Sequence, residues 1–111
     1  MTFGEAIEKM RRGAFVAREG WNGKNMFIYL TGSSKVPAGE LRGNARAAAA
    51  YRAELDGADH DVVIRSHIDM MDATGCVVCG WLANQTDMLA DDWYVREYAQ
   101  NTEAALWWQA P

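Results

Sequence analysis

The sequence contains little cysteine, which forms the disulfides of small exported domains, and little proline, which interrupts helices and strands. Its 111 residues include only two cysteines and two prolines. The first segment is amphipathic and carries Glu5 and Glu8, which is unlike a secretory signal or a transit peptide. No apolar run approaches the roughly 18 residues that a membrane span requires. We therefore expect a protein of a reducing cytoplasm, with no membrane partner.

Basic charge is also scarce. The formal net charge is -4, whereas surfaces that bind long nucleic acids are broadly basic, so no long nucleic acid is expected as a partner. The charge is unevenly distributed: nine of the eleven Lys and Arg lie within residues 1–52, and eleven of the fifteen Asp and Glu follow them. Attraction between the two halves, within or between subunits, is one interpretation; ordinary solvated charge is the other.

Apolar and aromatic residues, in contrast, are abundant for so short a chain. Half of the residues are apolar and five are tryptophan. A chain of this length has room for one domain with one modest core. Because a small monomer struggles to bury so much aromatic surface, we expect the protein to self-associate.

The spacing of apolar residues and turn signals predicts an α+β fold, in which a small antiparallel β-sheet packs with short helices in a single domain over residues 1–111. Asn22-Gly23 is typical of a tight hairpin turn. A helical insertion is expected at about 39–57, and a short C-terminal extension, helical or an ordered arm, at about 97–111. A helix is predicted from Phe3, with Thr2 as its cap and Gly13 as its C′ residue, and further helices are predicted over 40–55, ending at Gly57, and over 84–90. Strands are predicted over 14–18, 25–30, 60–65, 68–71, 76–80 and 93–95, and a loop over 32–39.

The pair Cys76-x-x-Cys79 invites a metal site, but the pattern argues against one. A structural zinc site needs four ligands. Residues three apart on a strand point to opposite faces, which works against chelation. No metal and no cofactor are therefore expected, and the two cysteines are predicted to pack within a strand.

His67 and Asp69 lie two apart on a predicted strand and therefore share a face. That face suits either a general acid–base pair or a histidine that is merely bonded to a neighbouring carboxylate. No serine or cysteine has an evident base partner, and no glycine-rich phosphate loop follows a strand. We therefore expect no catalytic residues and a protein that is not an enzyme.

The most distinctive feature is a set of tryptophans beside short polar runs. Trp21 lies in a Gly-Trp-Asn-Gly-Lys run at 20–24, while Trp81 and Trp93 bracket a second polar segment. Such a mixture suits a pocket for a flat, polar, charged small molecule. Core packing is the alternative for each ring. A predicted turn, however, is a poor place to bury Trp21, which should stack on a ligand or lie at a subunit interface.

Asp87 and the basic residues around Trp21 each allow two interpretations. If Asn84 is a helix N-cap, Asp87 occupies the third helical position, where a carboxylate satisfies free backbone donors. Alternatively, this helix start lines the pocket, and Asp87 bonds ribose hydroxyls or an adenine amino group. Lys24 and Arg18 on either side of Trp21 supply charge for a pyrophosphate or are solvated surface residues.

Several motifs together resemble a known family of small phage and prophage proteins. They are Gly-Trp-Asn-Gly-Lys at 20–24, His-Ile-Asp-Met at 67–70, Gln-Thr-Asp-Met-Leu-Ala at 85–90 and Asp-Trp at 92–93. The chain resembles the second type of Thoeris anti-defence protein over residues 3–30 and 67–93. It departs from the family in its alanine-rich middle and in its Trp107-Trp108 tail.

The resemblance implies a sponge for an immune signal. Bacterial Thoeris systems answer infection with a cyclic ADP-ribose isomer, and the family binds this signal and holds it intact in the host bacterial cytoplasm. It also implies a homotetramer with signal pockets at subunit contacts and, in some relatives, cyclic dinucleotides at a separate site. The residues expected to bind the ligand are Trp21, Asn22, Lys24, Gln85, Thr86, Asp87 and Trp93, together with Arg18.

Two other functions stay open at this point. One is a hydrolase that degrades the same signal with His67 and Asp69. The other is a protein–protein inhibitor module, in which the tryptophans form a surface that blocks a host defence protein directly.

Overall fold

Seven strands and three α-helices form the fold that a computed structural model describes over residues 1–100. Five strands make one antiparallel sheet in the order β6-β5-β2-β1-β7, and β3 pairs with β4 in a second sheet. The predicted α+β class is confirmed. The elements are α1 (Phe3–Met10), β1 (Ala14–Arg18), β2 (Phe27–Thr31), β3 (Ser34–Val36), a 3-10 helix (Ala38–Glu40), α2 (Gly43–Asp56), β4 (Val62–Ile64), β5 (His67–Met71), β6 (Val77–Val78), α3 (Gln85–Leu89) and β7 (Trp93–Tyr98).

Local signals explain where α1 begins and ends. The Thr2 side chain accepts a hydrogen bond from the Glu5 backbone N–H, and the Glu5 carboxylate accepts one from the Thr2 backbone N–H. This reciprocal capping satisfies donors that the first turn of a helix leaves free. After the helix, Gly13 adopts a φ of 90°, which favours glycine and turns the chain into β1.

The hydrophobic core lies between α1 and one face of the five-stranded sheet. Ala6 and Met10 of α1 are buried against Val16, Ile28 and Trp93 from the strands. In β2 and β7 these positions are flanked by more exposed neighbours, as a sheet with one covered face requires. The core therefore fixes the register of β1, β2 and β7 beneath the helix.

The β1–β7 pair contains a β-bulge, which determines the direction of the Arg96 side chain. Phe15 pairs with Glu97 and Val16 pairs with Val95, so Arg96 is the extra residue on β7. Such a β-bulge redirects the side chain of the extra residue. The Arg96 guanidinium Nη2 donates to the Asn25 side-chain oxygen at 3.1 Å, which ties β7 to the connection between β1 and β2.

Two local predictions are wrong. The loop expected over 32–39 contains β3, which pairs with β4 in register from Ser34↔Ile64 to Val36↔Val62. The tight turn expected at Asn22-Gly23 is instead a longer connection over 19–26, in which Asn25 has a φ of 60°. β7 also extends to Tyr98, into the expected C-terminal extension, while residues 101–111 with Trp107-Trp108 lie outside the described residues.

The cysteines do not pack within a strand, which corrects that prediction. β6 is only two residues long, and Cys76 and Cys79 flank it as exposed free thiols. Within residues 1–100, no three His, Cys, Asp or Glu side chains come together as metal ligands would. None of the helices described is both long enough and apolar enough to cross a membrane.

Candidate functional site

The candidate site forms where the 19–26 connection meets α3 and the start of β7. Three indoles meet there: the Trp21 ring lies 6.1 Å from the Trp81 ring and 5.3 Å from the Trp93 ring, centroid to centroid. Both pairs are edge-to-face, the arrangement that aromatic quadrupoles favour. Phe3 of α1 completes the cluster, 5.0 Å from Trp93. Residues from the two ends of the described chain thus share one aromatic cluster.

The three indoles differ in exposure. Trp93 is only 2% exposed, whereas Trp21 and Trp81 are half-buried. The Trp93 indole N–H is also used, since it donates to the Asp87 backbone oxygen at 3.0 Å. A ring in this position offers no free face, so the expected stacking of a ligand on Trp93 is corrected to a packing role. Trp21 and Trp81 remain accessible at the surface of the cluster.

One arginine organises the polar side of the site. The Arg18 Nη1 donates to Asp87 Oδ1 and its Nε donates to Asp92 Oδ1, both at 2.8 Å. The Arg18 side chain is 15% exposed, and such little-exposed charges are stable only when paired. Arg18 is therefore engaged with two carboxylates, which does not fit the phosphate-binding role expected for it.

These contacts also shift pKa values. The hydrogen bonds that Arg18 donates to Asp92 and then to Asp87 raise the pKa of Arg18, so the guanidinium stays charged. The hydrogen bond from Arg18, helped by the backbone N–H of Gly20, holds the pKa of Asp92 below its ordinary value. The network is therefore an ion-paired clamp at neutral pH.

Asp92 additionally holds the 19–26 connection through the backbone. Its Oδ2 accepts from the Gly20 N–H at 2.9 Å, and its carbonyl oxygen accepts from the Glu19 N–H at 3.2 Å. A Cβ at position 20 would lie 3.0 Å from this Oδ2, so the close approach favours glycine. Asp92 was not among the predicted ligand-binding residues, although its place beside Trp93 in the Asp-Trp motif was a signal.

The remaining predicted site residues lie on two neighbouring elements. Asn84 is the N-cap of α3, as predicted: its side-chain oxygen accepts from the Asp87 N–H at 2.8 Å. Gln85 and Thr86 are exposed on the first turn of α3. Asn22 and Lys24 are exposed on the 19–26 connection. Direct contacts thus join Trp21, Asp87, Arg18 and Trp93. The side chains of Asn22, Lys24, Gln85 and Thr86 lie on the same two elements and make no hydrogen bond to that set within the described residues.

A second polar cluster lies on β5 and corresponds to the expected acid–base pair. His67 Nε2 lies 3.3 Å from Asp69 Oδ2, while His67 Nδ1 lies 2.8 Å from the Arg65 carbonyl oxygen. Asp69 is itself buried and accepts from Thr31 Oγ1 and the Gly80 N–H. Both ring nitrogens of His67 thus lie beside oxygen atoms of the chain. The arrangement matches the interpretation of a histidine that is bonded to a neighbouring carboxylate.

Comparison with known proteins agrees with this arrangement of motifs. The Thoeris anti-defense 2-like domain matches residues 1–96. The chain is 32% identical over 93 residues to Thoeris anti-defense 2 of Bacillus phage SP01, an alignment that covers 84% of this chain and 91% of the relative. The matched region includes the aromatic cluster, the Arg18 clamp and α3. The chain therefore belongs to the Thoeris anti-defense 2-like family and is a Thoeris anti-defence protein.

Proposed function

We propose that this protein blocks Thoeris defence by binding a cyclic ADP-ribose-type signal and holding it intact. The effect is stoichiometric capture in the host bacterial cytoplasm, with no catalytic turnover. Sequestration requires tight binding in proportion to the protein present and needs no catalytic group. The family membership supports the anti-defence role, and the chemistry of the site supports a nucleotide ligand.

The observation that carries the proposal is the pair of half-buried indoles, Trp21 and Trp81, at the rim of a polar surface. An accessible indole face binds a nucleobase by stacking, which contributes about 1–3 kcal/mol per base. The exposed amides of Asn22 and Gln85 offer both donors and acceptors to ribose or base. These are the two chemistries that recognition of an adenine nucleotide combines.

Lys24 is assigned the role of binding the negatively charged phosphates of the ligand. Arg18 is committed to Asp87 and Asp92, so it helps to build the site and does not face the phosphate in this proposal. Lys24 is exposed on the same connection as Trp21 and presents an ammonium to solvent. Thr86 supplies a hydroxyl at the start of α3 for sugar or phosphate oxygens.

The site is proposed to be completed by other copies of the chain. Leu82 is 87% exposed and Leu89 is 84% exposed, and Met88 is also exposed on α3. Apolar side chains clustered beside a polar site are typical of an association surface. A homotetramer with signal pockets at its subunit contacts would cover them and enclose the ligand. Cyclic dinucleotides at a separate site are a further part of this proposal.

The test is isothermal calorimetry of the protein against a panel of cyclic ADP-ribose isomers and cyclic dinucleotides. We expect submicromolar binding of at least one cyclic ADP-ribose isomer. Trp21→Ala should weaken that binding at least about tenfold, which corresponds to a loss of roughly 1.4 kcal/mol of stacking. The matched control is Tyr51→Ala, which removes an exposed ring from α2 and should leave the affinity unchanged. No heat of binding across the panel would contradict the proposal.

A further inference from the structure

We propose that Asp87 is a positioning residue, which fixes the orientation of the Trp21 ring and does not itself bind the ligand. This inference rests on the proposed function, because Trp21 is the ring assigned there to stack on the nucleobase. It differs from the expectation that Asp87 bonds ribose or adenine. The contacts of Asp87 within the chain carry it.

One of the two carboxylate oxygens of Asp87 is already occupied. Its Oδ1 accepts from the Trp21 indole N–H at 3.2 Å and from Arg18 Nη1 at 2.8 Å. The Asp87 side chain is only 10% exposed. An oxygen that accepts from two donors in a nearly closed environment is poorly placed to accept a third from a ribose hydroxyl.

The backbone of Asp87 is fixed as well. Its N–H donates to the Asn84 side-chain oxygen at 2.8 Å, and its carbonyl oxygen accepts from the Trp93 indole N–H at 3.0 Å. Trp93 is buried in the core, so the backbone of Asp87 is tied to the packed core. Asp87 thereby links the Trp21 ring to the core, and its hydrogen bonds hold the ring in one place relative to Trp93.

The Trp21 ring needs such a restraint because of where it lies. It is carried by the 19–26 connection, which has no regular secondary structure of its own. A ring on such a segment samples several rotamers, and ordering it only upon binding would weaken affinity. The hydrogen bond from Nε1 selects one orientation before the ligand arrives.

The first test needs no ligand. In a ¹H–¹⁵N spectrum, Trp21→Phe identifies the Trp21 indole signal by its loss. Asp87→Ala should shift this signal and accelerate its exchange with solvent, while Asp87→Asn, which preserves the side-chain shape, should have a smaller effect. Asp56→Asn is the matched control: it removes an aspartate that also pairs with an arginine, on exposed α2, and should leave the signal unchanged. An unchanged Trp21 signal in a folded Asp87 variant would overturn the inference.

The second test is a double-mutant cycle on ligand binding. Asp87→Ala should weaken binding roughly two- to tenfold, the range that the loss of one hydrogen bond produces. In the Trp21→Phe background, which lacks the indole N–H, the same substitution should have little further effect. An equal loss in both backgrounds would show that Asp87 acts on binding independently of the Trp21 indole N–H and would overturn the inference. If the wild-type protein binds none of the panel, the proposed function fails, while the indole signal still decides the role of Asp87.

Discussion

At the scale of the residue, the site depends on the Arg18 guanidinium, which pairs with two carboxylates. Arg18 bonds Asp87 on α3 and Asp92 before β7, which are 69 and 74 residues away in sequence. Removing a partner from a little-exposed ion pair leaves an uncompensated charge, which is more costly than the pair itself is favourable. The clamp therefore makes the geometry around Trp21 sensitive to any change in the charge of its members.

This clamp predicts a specific dependence of stability on acid. Because the folded-state pKa of Asp92 lies below its ordinary value of 3.8, ionised Asp92 favours the folded state. Its contribution to the free energy of unfolding is complete above that ordinary value and is lost as the pH falls through the folded-state pKa. Asp92→Asn should therefore flatten the loss of stability below about pH 4. Urea unfolding of both proteins from pH 7 to pH 3 measures this.

Arg18→Gln is the companion to that measurement. It removes the cation that lowers the pKa of Asp92, so it should flatten the same part of the pH profile. Identical acid dependence in wild type, Asp92→Asn and Arg18→Gln would show that the clamp does not hold Asp92 ionised.

The partners of individual residues could be predicted only where they are close in sequence. Asn84 as the N-cap of α3 follows from residues within one helical turn, and the structure confirms it. The pairing of Asp87 with Arg18 does not follow, because a carboxylate near a helix start has many possible cations. For Trp93 the sequence left core packing and ligand stacking open for the same reason, because the core that covers this ring includes residues of α1.

At the scale of the element, α1 connects the start of the chain to the site. The Met1 ammonium donates to the carbonyl oxygens of Asp91 and Trp93, and the Trp93 N–H donates to the Met1 carbonyl oxygen. Phe3, on the first turn of α1, contacts the Trp93 ring. The N-terminus of α1 is thus a structural support for β7 and for the aromatic cluster.

Loss of the α1 cap should destabilise the whole domain. Thr2→Ala removes the side chain that caps the first turn, and caps of this kind contribute about 1 kcal/mol to the free energy of unfolding. The melting temperature should fall by roughly 4–8 °C in a domain of this size. Differential scanning calorimetry measures it, with Ser34→Ala on the exposed start of β3 as the control. A melting temperature equal to that of wild type would show that the cap contributes nothing.

Elements with local signals were predicted well, and those that depend on distant partners were not. Helical spacing and the Thr2 cap predicted α1, and Gly57, with a φ of 74°, ends α2 as predicted. β3 was missed because its three residues, two of which are polar, form a strand only through pairing with β4. The tight turn at Asn22-Gly23 failed because Asp87 and Asp92 draw the connection towards α3.

At the scale of the whole molecule, the charge asymmetry along the chain has a structural use. The basic half supplies Arg18 and the acidic half supplies Asp87 and Asp92, so the predicted attraction is present within one chain at this clamp.

Self-association stays a prediction. The sheet face opposite α1 presents further aromatic residues, with the Phe15 and Phe27 rings stacked 5.0 Å apart and Tyr29 beside them.

The central claim is that the protein captures its signal without breaking it. The most direct test incubates excess protein with a cyclic ADP-ribose isomer that it binds, denatures the protein by heat, and analyses the released nucleotide by mass spectrometry. We predict full recovery of intact signal, equally from wild type and from His67→Ala. A loss of intact signal over time that wild type causes and His67→Ala does not would contradict capture and identify a hydrolase.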